Sequence, residues 1–301
     1  MLKRNIVGTT FIEVGMEIEI WSDIACPWCY IGKRRFERAL AEFAHRDEVK
    51  VTWRSYQLDP SLPEHYDGTE LEYLASRKGL APDQVEQMFE HVTEQAAGEG
   101  LNYDFDSLVV ANSLRAHQLL HAAAAAGLAD TVKERLLSDH FEHGADIGDV
   151  DHLVDIAVDV GLDGDDVREA LTDARYLADV RADIDEGQRL GLSGVPFFVI
   201  DRAYGISGAQ PTNAVIQALE QAWQASHPIE MIVAERPMRA VPTAAPCRSL
   251  HQHPRTHLTT LIDRHRHFCD AQPARSAASL SHATTSSSMS SGPPSSRWCI
   301  Q

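Results

Sequence analysis

Strand, helix, strand, then strand, strand, helix, with a long helical run between the two halves, is the order written along this chain, and it predicts an α/β fold split by a large all-helical insertion. Three observations carry it. Short alternating stretches stand at Met16–Trp21 and Val49–Tyr56, with an amphipathic helical pattern between them. A stretch from about Thr69 to Leu190 is rich in Ala, Leu, Glu and Asp and is punctuated by Gly and Pro into helix-length pieces. Two further short strands and one helix follow, from Gly194 to Ala225.

Ile18 and Ile20 alternate with Glu17 and Glu19, which reads as a half-buried strand ending at Trp21. From about Trp28 to Ala44, Ile31, Phe36, Leu40 and Phe43 recur at helical spacing among Lys33, Arg34, Arg35 and Arg38. Pro27 suits the first turn of that helix, where its missing N–H would have no partner anyway. Val49–Tyr56 is a second strand, parallel to the first through a right-handed crossover, and Gln57-Leu58-Asp59-Pro60 ends it. The insertion divides into six expected helices: Glu70–Lys78, Pro82–Ala97, Ser107–Ala126, Ala129–His143, Val150–Val160 and Asp165–Arg189, the last open to interruption. Gly194–Ile200 and Ala203–Ser207 form a hairpin across Asp201-Arg202, and Pro211–Ala225 is a helix with Val215, Ile216, Leu219 and Trp223 on one face. This element order is that of the thioredoxin-like fold.

The ends are different material. The chain of 301 residues carries a net charge of −17, yet Arg236–Gln301 holds 8 Arg, no Lys, 2 Asp and no Glu, a balance of +6. That segment also has 11 Ser and 7 of the 14 Pro, a composition that predicts a low-complexity, disordered tail. The expected organisation is an N-terminal extension (1–15), a first thioredoxin-like part (16–68), the helical insertion (69–190), a second thioredoxin-like part (191–227) and the tail (228–301). The acidic balance argues against nucleic-acid binding. No run is long enough for a membrane span, no export signal is legible, and only two of the five cysteines fall in the first 246 residues, so a reducing cytoplasm is the expected location.

The chemistry concentrates at Cys26-Pro27-Trp28-Cys29, where the first strand gives way to the first helix. Thiolate is the nucleophile in thiol–disulfide exchange, and a helix N-terminus stabilises an anion, so Cys26 at the N-cap is expected to be the exposed, acidic nucleophile. Cys29, one turn on, is the buried resolving thiol. A zinc site needs a second cysteine pair, and no other CxxC occurs, so no metal is expected here; no cofactor is implied either. His251-Gln252-His253 and His265 to Cys269 have ligand types at metal-like spacing in the tail, where nothing suggests a fold to hold them. Pro196 opens an otherwise buried strand, a conflict that a cis bond turning the chain beside Cys26 would resolve; an ordinary trans proline is the alternative.

WSDIACPWCYIGKRRFE, WRSYQLDP, NSLRAHQL from Asn112, SGVPFFVI and YGISGAQP together resemble the FrnE-like branch of the DsbA family of thioredoxin-fold oxidoreductases, over about Met16 to Ala225. The resemblance implies a redox-active Cys26–Cys29 pair, a cis Pro196 facing it and helices capping the cleft. It further implies a cytoplasmic oxidoreductase or isomerase acting on protein thiols and disulfides or on low-molecular-weight thiols. Kappa-class glutathione transferases and 2-hydroxychromene-2-carboxylate isomerases are related and supply the alternative, but they use a serine where this chain has Cys26. Val195, Pro196, Trp28 and His117 are the residues expected to contact substrate. Asp23, three residues before Cys26, is either a proton relay to Cys29 or an acceptor for backbone N–H groups of the turn.

Overall fold

The computed structural model describes residues 15–64 and 66–227, all within one compact unit. The expected N-terminal extension up to residue 14 and the tail from 228, with its histidines and three cysteines, lie outside the described residues.

Four strands form one sheet in the order β2-β1-β3-β4. β1 (Met16–Ser22) pairs in parallel with β2 (Val49–Ser55), Met16 opposite Val49, and antiparallel with β3 (Phe197–Ile200), Ile20 opposite Phe198. β4 (Tyr204–Ser207) closes the hairpin with β3. Three residues, Asp201 to Ala203, connect them; Asp201 and Arg202 take positive φ there, and the Ala203 N–H donates to the Ile200 carbonyl at 2.9 Å.

β1 is more buried than its alternation suggests. Strands flank it on both edges, and only Glu17 is exposed. Glu19 is buried because Arg54 of β2, with Nη2 at 2.7 Å, and Arg202 of the hairpin turn close on its carboxylate. Alternation read Glu19 as facing solvent, and two arginines distant in sequence make it an interior ion pair instead.

α1 (Pro27–Glu42) stands between two apolar cores, because different faces of one helix serve each. Phe36 and Ala39 pack with Ile18, Ile20 and Phe198 of the sheet and with Leu219 and Trp223 of α9 (Thr212–Ser226). Tyr30 and Ile31 pack into the inserted helices, with Leu119, Leu136 and Phe141. The first turn of α1 therefore lies at the seam between the sheet half and the insertion.

The insertion holds seven helices among the described residues, one more than expected: α2 (Glu70–Lys78), α3 (Pro82–Gly98), α4 (Leu114–Ala125), α5 (Ala129–His143), α6 (Val150–Asp159), α7 (Gly164–Thr172) and α8 (Leu177–Arg189). The last expected helix is two, broken at Ala174, whose φ is 51°. α4 starts at Leu114 rather than Ser107. Asp104 accepts the backbone N–H groups of Asp106 and Ser107, and Asn112 accepts that of Leu114, so side-chain oxygens take the donors that an earlier helical turn would use. Asp149 and Asp163 cap α6 and α7, and Thr69 with Glu72 forms a capping box on α2.

An ion cluster joins α1 to α5. Glu134 accepts from Tyr30 at 2.7 Å, pairs with Lys33 at 2.9 Å and binds Arg34. Burial pushes the Glu134 carboxyl up, but the bonds from Arg34, Tyr30 and Lys33 outweigh it and hold the group at about 2, against 4.5 for an ordinary glutamate. A depressed folded value contributes stability that is present above about 4.5 and is lost as pH falls toward 2. Glu134→Gln is expected to lower the urea midpoint at pH 7 and to narrow its deficit from wild type as pH drops through that window. A deficit constant from pH 7 to pH 2 would contradict this.

Candidate active site at the Cys26–Cys29 pair

Parallel pairing brings the end of β1 to the seam, and Asp23 to Ala25 turn the chain into α1. Cys26 is the N-cap residue, in extended conformation, and Pro27 takes the first helical position. The Cys29 N–H donates to the Cys26 carbonyl at 2.9 Å, closing the first turn and setting the two sulfurs side by side. Across from them the chain enters β3 through a cis Val195–Pro196 bond, and the Cys26 thiol donates to the Val195 carbonyl with sulfur to oxygen 3.6 Å. α1 approaches Pro196 closely because residue 32 is glycine. A Cβ there would lie 2.7 Å from Pro196 Cγ.

The expectation of an exposed, acidic Cys26 is not met. Cys26 is 3% exposed and Cys29 1%. The Cys26 sulfur turns to the Val195 carbonyl and to Cys29, and the Cys29 backbone N–H in the first turn of α1 lowers its pKa by less than the opposing causes raise it. The hydrogen bond to Cys29, then burial, then the charges of Cys29 and Asp23 push the Cys26 thiol up. Burial acts against Cys29 as well, but the bond from Cys26, the charge of Lys133, and donors from Ser22 and the Asp23 backbone bring its thiol below the ordinary value. In this closed arrangement Cys26 is the less acidic of the two thiols and Cys29 the more acidic.

Of the two cysteines, Cys26 is the one that reaches open space. It lines a cavity of about 140 Å³ between the turn and the insertion, whose walls include Trp28, Leu58, Phe89, Phe105 and Phe141. Cys29 lies behind it and does not line this space. The Trp28 ring is 5.9 Å from that of His91. The buried His140 also borders the cavity, and burial pulls its imidazole down to about 4, so it is neutral.

Asp23 lies under the pair. Its Oδ2 accepts from the Leu58 N–H at 2.7 Å and its Oδ1 from the Ala25 N–H at 3.3 Å. Burial would raise its pKa, but the bond and charge of His117, the Leu58 N–H and Ser113 together hold the carboxyl below its ordinary value. His117 was expected to touch substrate; it is 0% exposed and turned away from the cavity, with Nε2 3.2 Å from Asp23 Oδ1. Its helix face points into the seam, where burial keeps the imidazole neutral. An ionised Asp23 therefore requires the proton on Nε2, and Nδ1 is buried with no partner.

Cys26, Cys29, Val195, Pro196, Trp28 and Asp23 thus converge, and His117 joins them through Asp23. Gly32, His140 and Lys133 were not anticipated. Lys133 left one signal: it stands in the stripe of Val132, Leu136 and Leu137, a charge at a core position. Among the described residues no group of His, Cys, Asp and Glu could hold a metal ion, and no helix is long and apolar enough to cross a membrane.

Comparison with solved structures gives a probable DsbA oxidoreductase from Streptomyces coelicolor at 42% identity, covering 77% of this chain and 99% of that one, with a TM-score of 0.68. The cytosolic disulfide reductase DsbM from Pseudomonas aeruginosa, solved with GSH, shares the fold at 19% identity and a TM-score of 0.50, over 69% and 99% of the two chains. A 2-hydroxychromene-2-carboxylate isomerase does so at 10% identity and 0.52, over 70% and 97%. The family described as the DSBA-like thioredoxin domain matches residues 17–220, most of the described fold with the Cys26–Cys29 turn, the inserted helices and the Pro196 hairpin inside it, and the chain belongs to that family.

Proposed function

We propose that the protein is a thiol–disulfide oxidoreductase in which Cys26 exchanges with substrate sulfur and Cys29 resolves the mixed disulfide. The observation that carries this reading is the placement of Cys26 at the cavity wall, hydrogen-bonded to the Val195 carbonyl, with a second, acidic thiol one helical turn behind it. In the reducing direction Cys26 passes its proton to Cys29, and the resulting Cys26 thiolate attacks a substrate disulfide. A Cys26–substrate S–S bond forms, and the displaced substrate sulfur leaves as a thiolate. Cys29 then gives its proton to the departed substrate thiolate and attacks Cys26 Sγ, forming the Cys26–Cys29 disulfide and expelling the second substrate sulfur as a thiolate that takes its proton from water. Two electrons reduce the substrate disulfide to two thiols, and an external thiol reverses the steps to regenerate the enzyme; the oxidising direction runs the same bonds backwards.

The partially exposed Val195 and the buried Pro196 border the point of attack, and Trp28 supplies an apolar surface beside it. Asp23, held as a carboxylate, is a relay only if it is protonated transiently; its standing role is to anchor the turn and to orient His117. Substrates are protein thiols and disulfides or low-molecular-weight thiols carrying an apolar group into the cavity. The sparse cysteines of the described fold suit a reducing cytoplasm.

The deciding experiment compares two activities of the full chain: reduction of a protein disulfide with a small thiol as reductant, and glutathione-dependent isomerisation of 2-hydroxychromene-2-carboxylate. Turnover in the first alone is expected; turnover in the second alone would overturn the proposal. Filling the cavity with Ala111→Trp is expected to raise KM for apolar disulfides at least about tenfold, close to the loss of 1.4 kcal/mol of binding. An unchanged KM would place substrate elsewhere.

A further inference from the structure

Lys133 is a charged residue at a core position, 1% exposed on the α5 face that buries Val132, Leu136 and Leu137. Its surroundings are defined from three sides. On α5 itself, Asp130 and Glu134 reach across to Lys33 of α1, at 3.5 and 2.9 Å, so this turn of α5 crosses the α1 face that carries Lys33. Cys29 precedes Lys33 by four residues and so occupies the same face, one turn nearer the helix start. From β2, the Trp53 ring centroid lies 5.5 Å from Lys133 Nζ, and Trp53 Nε1 donates to Asp130 at 3.0 Å. The ammonium is thus enclosed by α5, α1 and β2 beside the redox pair.

The charged or titratable groups that act on it are Cys29 and Lys33 of α1, Cys26 at its N-cap and Asp23 in the turn before it, and it acts on His117 of α4; Asp130 and Glu134 of its own helix pair with Lys33. Burial pulls Lys133 down to about 8, and of the charges that oppose this, Cys29 acts most strongly, followed by Asp23 and Cys26. Reciprocally, Lys133 is the leading charge that lowers Cys29.

We infer that Lys133 is a positioning residue for the redox pair: a buried ammonium, contributed by the inserted helices, that stabilises the thiolate of the reduced Cys26–Cys29 couple and thereby sets its acidity and redox equilibrium. The inference rests on the thiol–disulfide reading above. When a substrate dithiol reduces the enzyme, the Cys26–Cys29 bond breaks, a substrate S–S bond forms, and two electrons pass to the enzyme sulfurs. The two substrate protons pass to the sulfur pair, and ionisation of its more acidic member, Cys29, releases one of them and leaves a buried thiolate. Burying a charge is costly, and leaving it unpaired costs more than burying it beside a counter-charge. Lys133 gains its strongest partner only in the reduced state, so it favours the dithiol and makes the disulfide the better oxidant. With Lys133 gone, the thiolate would face the Asp23 carboxylate with its principal counter-charge removed.

The test uses Lys133→Met and Lys133→Arg in the full chain, with two substrate-independent readouts: ultraviolet thiolate absorbance against pH, and the fraction of Cys26–Cys29 disulfide in glutathione redox buffers. Lys133→Met is expected to move the thiolate midpoint upward by about one unit and to shift the redox equilibrium toward the disulfide about tenfold, or about 30 mV. Lys133→Arg is expected to restore most of both. A Met variant with wild-type values in both readouts overturns the inference. Should the Met variant not fold, the wild-type Lys133 side-chain nitrogen is titrated by NMR in the two redox states; a higher pKa in the reduced protein is required, and equal values overturn the inference. A wild-type chain that forms no Cys26–Cys29 disulfide in any buffer would instead defeat the functional reading itself.

Discussion

Cys26→Ser is expected to abolish disulfide exchange, with the rate falling at least about a thousandfold, because no other described cysteine lines the cavity and removing the nucleophile removes the covalent path. Cys29→Ser should leave attack possible and resolution impossible. The variant is then expected to accumulate a mixed disulfide through Cys26, visible by intact mass after incubation with a substrate disulfide. The contrast matters because Cys29 is the more acidic thiol of the closed pair while Cys26 is the one within reach. Acidity and access are divided between two sulfurs, and a proton moving from Cys26 to Cys29 unites them. Trapping by Cys26→Ser rather than by Cys29→Ser would reverse the two assignments. Alkylation of the wild-type protein adds a second check: of the two site cysteines, Cys26 should be modified before Cys29 at neutral pH, despite its higher pKa, since Cys29 lies behind it.

The second large effect is expected from Gly32→Ala. A methyl group at residue 32 would stand 2.7 Å from Pro196 Cγ and 3.5 Å from Ala209 Cβ, closer to the proline than packed atoms approach. Ala209 is itself tied to α1, since Arg35 Nη1 donates to its carbonyl at 2.6 Å. The strand entrance cannot retreat without losing that bond, and α1 cannot retreat without disturbing both cores it serves. Overpacking of this kind costs about 1–3 kcal/mol. It should also move the Val195 carbonyl away from Cys26, so the loss of exchange rate should exceed what the fall in stability explains. Gly98→Ala is the control, because a Cβ there meets nothing within 4 Å; it is expected to be neutral or to stabilise α3 by up to about 1 kcal/mol. Urea unfolding and disulfide-reduction rates measure both variants. A Gly32→Ala protein with wild-type midpoint and rate would show that the helix and proline do not depend on their close approach.

The element order, the strand-to-helix turn at Cys26-Pro27-Trp28-Cys29 and the parallel crossover were legible in the chain, because each is written in local periodicity: alternation in β1 and β2, helical spacing in α1, Gly, Pro and Asp at the breaks. The same local signals explain where that reading stopped. Ser107 to Ser113 has helix-compatible composition, and only the bonds accepted by Asp104 and Asn112 show that it does not start α4. Glu19 alternates as a solvent residue and is buried by Arg54 and Arg202, the latter 183 residues along the chain. The helix start at Cys26 was visible, but the direction of its sulfur was not, since that direction depends on a carbonyl 169 residues away. His117 meets Asp23 across 94 residues, and Lys133 meets the cysteine pair only after α5 crosses α1. By itself, then, the sequence determined which groups the protein has and the secondary structure that carries them. The tertiary structure decided which of them share a low-dielectric space, and there pairing and burial, rather than position along a helix, govern charge.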